Sequence, residues 1–203
     1  MTTQAKNRIL AYIVMAMLAF LAIVGQAVKA PEKPATAFLP TDKPVFIAVE
    51  EPAYDKTEFE CMRTNLYFEA GNQKRRGIEA VALVTLNRTK TKHYPASVCG
   101  VVKAWAYNKR GRKVCQFSWY CDGKSDRPNL KNKLEREAWD RATMVAEAAM
   151  EGRLRDFLGR ATHYHANYAN PDWANAPKRY RRIAVVGTHI FYRDIALKLK
   201  HNA

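Results

Sequence analysis

The sequence predicts a mostly α-helical domain of the α+β class, with a small β-hairpin or irregular lobe and an N-terminal hydrophobic helix in front of it. Apolar residues at helical spacing predict three helices in the domain, over about residues 57–70, 75–90 and 132–152. Residues 91–129 carry many aromatic side chains without helical spacing and predict the irregular lobe. A chain of 203 residues is long enough for one such domain with appendages.

The first part of the chain, residues 1–30, is predicted to be a signal peptide or a signal anchor. Lys6 and Arg8 precede an uncharged apolar run over residues 9–24, which is the order of a secretory signal. The length of this run falls between a signal-peptide core and a full transmembrane span, so cleavage and retention in the membrane both stay open. A buried helix of a cytoplasmic domain is the alternative. The signal predicts a protein in the periplasm, or on the inner membrane and facing the periplasm.

A linker is predicted over residues 31–55, followed by the folded domain over residues 56–203. The linker is rich in proline, which favours a semi-extended chain that can hold a domain away from a membrane surface. Within the linker, residues 45–49 could form a short strand or dock on the domain.

The chain is strongly basic, with 34 Lys and Arg against 19 Asp and Glu, a formal charge of +15. Residues 1–30 hold three of the bases and none of the acids, so the remainder has 31 bases, 19 acids and a charge of +12. This charge favours an anionic partner, which could be nucleic acid, anionic lipid or an envelope polymer. Charge alone does not choose among these three.

Four cysteines lie in the predicted domain, and behind an export signal an even number predicts disulfides. Two bridges allow three connectivities, of which we favour Cys61 with Cys99 and Cys115 with Cys121. A zinc site is the competing interpretation, but no two cysteines have the C-x-x-C spacing of a zinc knuckle.

Several shorter patterns predict local structure. Asn132 followed by Glu135 is typical of a helix N-cap with a capping box. Asn87 and Arg88 close the second helix and are predicted to lie on an exposed polar face. Residues 115–123 alternate polar and aromatic side chains like a strand and turn, and residues 185–192 predict another strand or turn region.

One carboxylate stands out, because Glu69 lies among large apolar side chains where the first helix is predicted to end. Gly71 and Asn72 follow it and are common where a helix stops. If Tyr67 and Phe68 shield this carboxyl group from water, its charged form is disfavoured and its pKa rises toward the range of a general acid at neutral pH. The alternative is an ordinary glutamate on a solvated helix face.

Six separated stretches together resemble the SleB/CwlJ-type cell wall hydrolases, and the resemblance runs from about Glu60 to Tyr192. The stretches are Asn65-Leu66-Tyr67-Phe68-Glu69-Ala70, Leu86-Asn87-Arg88, Val98-Cys99-Gly100-Val101-Val102, Cys115-Gln116-Phe117-Ser118-Trp119 with Asp122-Gly123, Ala161-Thr162-His163-Tyr164, and Gly187-Thr188-His189-Ile190-Phe191-Tyr192. Each stretch is weak alone, but their order and spacing are specific.

The resemblance implies a lysozyme-like, mostly helical fold and a peptidoglycan-degrading enzyme. Members of that family act as lytic transglycosylases with a glutamate acid, and the resemblance places this acid at Glu69. The family commonly has Glu-Ala-Arg-Gly-Glu where this chain has Glu69-Ala70-Gly71-Asn72-Gln73, so the arginine and the second acid are both absent. We expect the second acid of relatives to be structural or substrate-orienting.

The remaining candidate site residues lie in the same stretches, except Trp173, which ends an aromatic and amide-rich segment over residues 161–173. Gln116 and Ser118 are candidates for stabilising a positively charged sugar intermediate. His163 is expected to form hydrogen bonds in the cleft or the core, and a metal bound by His163 and His165 is disfavoured because no acidic partner lies at ligand spacing. No metal or cofactor is expected. Four aromatic residues could stack on sugars or belong to the core: Tyr67, Phe117, Tyr164 and Trp173.

Two other classes of function remain open. The first is a hydrolase of the same polymer, either a muramidase that uses water or an amidase that cuts the peptide. The second is a non-catalytic basic protein that binds nucleic acid or envelope polymers, although an exported protein rarely meets nucleic acid. We expect a monomer that acts on peptidoglycan glycan strands, contacts the membrane through residues 9–24 if they are retained, and binds no nucleic acid. Phage lysis and bacterial wall remodelling both fit this prediction.

Overall fold

The computed structural model describes residues 51–108 and 110–200. The predicted export signal, the hydrophobic helix over residues 9–24 and the strand over residues 45–49 lie outside these residues. Across 51–108 and 110–200, every helix is too short or too polar to cross a bilayer.

Four α-helices form one part of the domain. They are α1 (Lys56–Ala70), α2 (Arg75–Thr89), α3 (Val98–Lys103) and α4 (Lys133–Met150). Asp55 caps the start of α1, because its Oδ1 accepts hydrogen bonds from the backbone N–H groups of Thr57 and Glu58 at 2.7 and 3.0 Å. The three long helices agree with the prediction, whereas α3 lies in the segment that was predicted to be irregular.

The second helix, α2, is the centre of the core. One side of α2 packs with α1, α3 and α4, and Ile78 and Val81 are fully buried there. On the other side, Ala80, Leu83 and Val84 contact Phe191 of the sheet. Because both sides are covered, α2 has almost no exposed face.

Burial of α2 overturns the prediction for Asn87 and Arg88. Both were expected on an exposed polar face, but Asn87 is only 7 % exposed and Arg88 only 5 % exposed. Their polar groups bind inside the domain: Asn87 Nδ2 donates to the Ala161 carbonyl at 3.1 Å, and Arg88 Nε donates to the Thr162 carbonyl at 2.8 Å. These hydrogen bonds offset part of the cost of burial and fix the segment that enters the sheet, while Arg88 Nη1 is buried without a partner among the described residues.

A three-stranded antiparallel sheet covers the second side of α2. Its strands are β3 (His163–Ala166), β4 (Tyr180–Val186) and β5 (His189–Asp194), in the order β3-β5-β4. Tyr164 of β3 lies opposite Phe191 of β5. The predicted strand or turn region over residues 185–192 is therefore two strands joined by a tight turn, in which Gly187 has a φ of +58°.

A separate two-stranded hairpin pairs β1 (Trp105–Tyr107) with β2 (Lys113–Cys115). The predicted strand and turn over residues 115–123 is wrong, because only Cys115 belongs to a strand and Ser118–Cys121 forms a 3-10 helix. The Phe117 side chain is buried in the core, and Cys121 is bonded back to Cys115, so the segment bends and cannot extend as a strand.

Two disulfides join the elements in the pairing that the sequence analysis favours. Cys61 of α1 is bonded to Cys99 of α3, and Cys115 at the end of β2 is bonded to Cys121 at the end of the 3-10 helix. The first bridge ties α1 to α3. The second ties the β1–β2 hairpin to the segment that carries Ser118 and Trp119.

Candidate active site

Glu69 is the penultimate residue of α1 and lines an open cleft between the helices and the three-stranded sheet. The cleft has a volume of about 580 Å³. Tyr164 of β3 donates a hydrogen bond from its hydroxyl to Glu69 Oε2 at 2.6 Å. Other residues that line the cleft are Phe68, Ser118, Trp119, Asp122, Lys124, Ser125, His165, Ala166, Tyr168 and His189.

The surroundings of Glu69 disfavour its charged form. Burial raises the pKa of the Glu69 carboxyl group above its ordinary value, while the hydrogen bond from Tyr164 and the positive charge of Arg88 lower it part of the way back. The negative end of the α1 dipole acts in the same direction as burial. A carboxyl group with a raised pKa can hold a proton closer to neutral pH, as a general acid requires.

A second groove adjoins the cleft on the other side of Glu69. Phe68 and Glu69 line both, and Tyr67 lines only the second groove. The Tyr67 hydroxyl donates to Glu135 Oε2 at 2.5 Å, and its ring packs edge-on against Trp139. Glu69 therefore lies where two grooves meet, which is a suitable place to cut a polymer that passes through both.

The end of α2 holds Tyr164 in position. Asn87 and Arg88 bind the carbonyl groups of Ala161 and Thr162, directly before the strand that carries Tyr164. The Arg88 guanidinium also lies 5.1 Å from the centre of the Phe117 ring. Helical periodicity could not reveal this role, because a polar pair at a helix end predicts an exposed face.

A buried hydrogen-bonded chain fixes Trp119 in the cleft wall. Trp119 Nε1 donates to Asn65 Oδ1 at 3.0 Å, and Asn65 Nδ2 donates to Thr85 Oγ1 at 3.3 Å. The Phe68 ring stacks on the Trp119 ring with centroids 4.8 Å apart. Asn65 is fully buried, and its place one helical turn before Phe68 and Glu69 was the available signal for its role.

His189 is another cleft residue to which the sequence analysis assigned no role. The side chain is 8 % exposed, and its Nδ1 is buried without a hydrogen-bond partner in the described part of the chain. Its ring packs edge-on against the Tyr164 ring, with centroids 5.0 Å apart. Burial, and to a smaller extent His165, lowers the pKa of His189, so the ring is neutral at neutral pH.

The structure brings together only some of the predicted site residues. Glu69, Ser118 and Tyr164 share the cleft, and Tyr67 lines the adjoining groove. Phe117 is 1 % exposed and belongs to the core, which was the alternative given for it. Three other predicted residues are not among those that line the cleft: Gln116 is exposed, and His163 and Trp173 pack together with centroids 5.4 Å apart.

His163 lies in a cluster of aromatic rings beside the cleft. Its Nδ1 is 3.0 Å from Thr162 Oγ1, and its ring contacts Trp173 and Tyr180. Burial is the largest of the effects that lower the pKa of His163 to about 4. Across residues 51–108 and 110–200, no group of three or more His, Cys, Asp or Glu side chains could hold a metal ion.

The sequence was compared with protein families and with solved structures. A family model described as Cell Wall Hydrolase matches residues 72–192, which is more than half of the chain. The chain belongs to the cell wall hydrolase family. The matched segment begins three residues after Glu69, so the role of Glu69 is argued from the geometry of the cleft. A search of curated protein sequences gives no significant match.

Two solved structures resemble this cell wall hydrolase. The catalytic domain of the germination-specific lytic transglycosylase SleB from Bacillus anthracis is 25 % identical, with a TM-score of 0.50, and the match covers 70 % of this chain and 99 % of that one. The catalytic domain of Bacillus cereus SleB is 24 % identical, with a TM-score of 0.47, and the match covers 70 % and 94 %. The mixed fold of helices and sheet is thus similar to that of the first of these domains.

Gln73 occupies the position where the resemblance would place a second acid. In this cell wall hydrolase Gln73 is 9 % exposed, its Nε2 donates to Thr188 Oγ1 at 2.6 Å, and its Oε1 accepts from the Thr188 N–H at 3.2 Å. A Cβ on Gly187 would lie 2.1 Å from Gln73 Oε1, so the contact requires glycine there. Gln73 therefore docks the α1–α2 link on the β4–β5 turn.

Replacing Tyr164 by phenylalanine is expected to shift the pH dependence of this cell wall hydrolase. In the wild type, the hydrogen bond from Tyr164 stabilises the Glu69 carboxylate. The variant lacks this bond, so its Glu69 should have a higher pKa. Activity that requires protonated Glu69 should then decline at a higher pH than in the wild type, and kcat/KM at the optimum should be about tenfold lower. The measurement is kcat/KM against pH for both proteins.

Tyr54→Phe is the matched control, because Tyr54 stacks on Phe59 and is not among the residues that line the cleft. It should reproduce the wild-type profile. A Tyr164→Phe profile that stays in place, or that moves to lower pH, would contradict the role given to this hydroxyl.

Proposed function

We propose that this chain is a peptidoglycan lytic transglycosylase that cuts the glycan strand after N-acetylmuramic acid, with Glu69 as acid and then base. One observation carries the proposal: a largely buried carboxyl group with a raised pKa, hydrogen-bonded to Tyr164, opens onto a cleft. Membership of the cell wall hydrolase family supports the substrate class. The similar Bacillus anthracis domain is the catalytic domain of a lytic transglycosylase, which supports the reaction type.

The reaction needs two proton transfers, and one carboxyl group can perform both. Protonated Glu69 gives its proton to the glycosidic oxygen as the bond from that oxygen to C1 of the muramic sugar breaks. The Glu69 carboxylate then takes the proton of that sugar's own C6 hydroxyl, whose oxygen bonds to C1 and closes a 1,6-anhydro ring. Glu69 ends protonated again, and no water is consumed.

Two other carboxylates near Glu69 accept hydrogen bonds from groups of the protein. Asp122 lines the cleft but is exposed, and its Oδ1 accepts a hydrogen bond from the Lys124 N–H within its own turn. Glu135 lines the adjoining groove and accepts a hydrogen bond from the Tyr67 hydroxyl. A glycosidase with two catalytic acids places them across the scissile bond. The cleft instead favours a mechanism with one acid.

Polar groups on the cleft wall would support the positively charged sugar and its acetamide group. Ser118 lines the cleft beside Trp119. His189 has one buried nitrogen, Nδ1, without a partner, while Nε2 is neither buried nor hydrogen-bonded among the described residues. A buried N–H without an acceptor costs more than a buried lone pair, so the proton belongs on Nε2. His189 would then donate a hydrogen bond to a substrate oxygen.

Replacing His189 by phenylalanine is expected to lower kcat/KM on glycan strands by about tenfold, the value of one hydrogen bond of about 1.4 kcal/mol. The ring packing against Tyr164 would remain. His189→Gln places an amide N–H near the position of Nε2 and should retain most of the activity. The shorter side chain of the His189→Asn variant places its amide near the position of Nδ1, so this variant should lose as much activity as His189→Phe. Equal activity of the three variants would show that the Nε2–H donor has no role.

The proposal assigns a separate role to each of three parts of the chain. Residues 1–30 direct export, residues 31–55 form a linker, and residues 56–203 form the catalytic domain. The enzyme acts as a monomer in the periplasm or from the inner membrane, which residues 9–24 would contact if they are retained. The positive charge of the chain attracts it to the anionic envelope.

Digestion of purified sacculi by the full chain tests this function. Fragments that are cut between sugars and still carry their stem peptides are expected, as separated by chromatography and identified by mass. Free stem peptides with intact glycan strands would instead indicate an amidase. Binding to sacculi without any release of fragments would indicate a non-catalytic binding protein.

A further inference from the structure

The β1–β2 hairpin exposes aromatic rings that its own fold does not use. Trp105 and Tyr107 are 49 and 68 % exposed, and all residues of β1 are exposed. An isolated two-stranded hairpin has no core of its own, so these rings gain little by packing within the domain. Large exposed aromatic side chains that lie together mark an interaction surface more often than an inert one.

The rings lie on one face and are held there. Trp105 pairs with Cys115 and Tyr107 pairs with Lys113, so all four side chains share a face of the hairpin. The two rings contact edge-on with centroids 5.3 Å apart, and Lys113 Nζ lies 5.0 Å from the Trp105 centroid. A partner would therefore meet an arranged surface with a positive charge beside it.

The charge of this region is one-sided. Residues 80–121 contain eight Lys or Arg and no Asp or Glu. At the hairpin turn Arg110 and Arg112 are exposed, and the Asn108 side chain accepts hydrogen bonds from both of their N–H groups at 2.9 and 3.0 Å. The surface thus combines aromatic faces, which pack on sugar rings, with cations, which pair with carboxylates.

The hairpin is joined to the cleft rather than to a distant part of the domain. The Cys115–Cys121 disulfide ties the end of β2 to the 3-10 helix, and the Gln116 N–H donates to the Ala104 carbonyl at 2.9 Å. Trp119 in that 3-10 helix lines the Glu69 cleft and also a shallow groove that Lys103 lines. Lys103 lies two residues before the first strand of the hairpin, so the path from the cleft to the hairpin is continuous.

We infer that the face formed by Trp105, Tyr107 and Lys113, with Arg112 beside it, binds the peptidoglycan strand where it leaves the cleft. The inference rests on the proposed function and adds a second contact region for the same polymer. The rings pack on sugars outside the cleft, and the cations pair with carboxylates of the stem peptides. An anionic lipid surface shares the charge, but the continuity with the cleft favours the polymer.

Binding by a protein that cannot cut tests the inference. Full-length Glu69→Gln protein is pelleted with purified sacculi, with and without the additional pair Trp105→Ala and Tyr107→Ala. Loss of the two rings should weaken binding about tenfold. Met144→Ala with Ile195→Ala is the control, because these side chains are 54 and 51 % exposed and are not in the hairpin. The control pair should bind as the parent does.

Two further measurements separate the hairpin from the cleft and from lipid. The double variant Trp105→Ala, Tyr107→Ala with Glu69 intact should cut a short soluble glycan fragment at the wild-type rate, because that fragment fills only the cleft. Arg112→Gln with Lys113→Gln should weaken sacculus binding at low salt and lose this effect at high salt.

The inference is overturned if hairpin and control pairs bind sacculi equally, or if the hairpin pair cuts the short fragment as poorly as it cuts sacculi. A hairpin pair that loses affinity for phosphatidylglycerol vesicles and keeps its affinity for sacculi would also overturn it, in favour of a lipid contact. Failure of the proposed function is a different result, since Glu69→Gln would then leave cleavage intact whatever the hairpin binds.

Discussion

Replacing Glu69 by glutamine is expected to reduce cleavage of glycan strands about a thousandfold, within the range that general acid and base groups contribute. The amide cannot donate a proton to the glycosidic oxygen and cannot accept one from the C6 hydroxyl. The amide oxygen of the glutamine can still accept a hydrogen bond from the Tyr164 hydroxyl, so the cleft should keep its shape. The measurement is the rate of fragment release from sacculi at equal enzyme concentration.

Glu137→Gln is a suitable control for this variant. Glu137 lies on α4 and its side chain is 44 % exposed; within residues 51–108 and 110–200, its one ion pair is a 3.7 Å contact with Lys133. Its neutralisation should leave the rate unchanged. A Glu69→Gln protein that retains a tenth or more of the wild-type rate would contradict the assignment of Glu69.

The same substitution should stabilise the fold at neutral pH. Burial raises the folded-state pKa of Glu69 above the unfolded value, so the stability that the protonated group contributes is complete below the unfolded pKa and is lost as the pH rises through the folded pKa. Glutamine stays neutral throughout. The melting temperature of Glu69→Gln should exceed that of the wild type at neutral pH, and the difference should shrink in acid.

Removing the Cys61–Cys99 disulfide is expected to lower the free energy of unfolding by about 4 kcal/mol, against about 2 kcal/mol for Cys115–Cys121, in the chain-entropy view. The bridges span 38 and 6 residues, and the longer closed loop restricts the unfolded chain more. The Cys61→Ala, Cys99→Ala and the Cys115→Ala, Cys121→Ala double variants can be compared by urea unfolding.

The two double variants serve as controls for each other, because each removes one bridge and two sulfur atoms. The shorter bridge lies at the hairpin and the cleft wall, so its loss should affect sacculus binding more than stability. A larger loss of stability from Cys115 and Cys121 than from Cys61 and Cys99 would contradict this order.

The sequence predicted those features that depend on local patterns. Helical spacing located α1, α2 and α4, and the end of α1 placed Glu69 next to large apolar side chains. The wall that shields Glu69 is built from Phe68, Trp119 and Tyr164, whereas Tyr67 faces the adjoining groove. Which of two neighbouring aromatic residues faces the carboxyl group depends on how α1 is rotated against the sheet, and spacing alone does not give that rotation.

Features that depend on distant contacts were not predictable in the same way. Arg88 is buried because the sheet covers the second side of α2 and because the Thr162 carbonyl accepts its Nε–H. Phe117 fills the core, although its neighbours alternate as a strand would. His189 enters the cleft because β5 is the central strand of its sheet, an order that the sequence does not reveal.

Digestion of sacculi in water enriched in ¹⁸O tests the central claim, that the C6 hydroxyl group of the muramic sugar attacks C1 and that water does not. The new muramic ends should be 1,6-anhydro sugars without ¹⁸O, as read by mass spectrometry of the separated fragments. Reducing muramic ends that carry one ¹⁸O atom would show that water attacks C1, and would contradict the account.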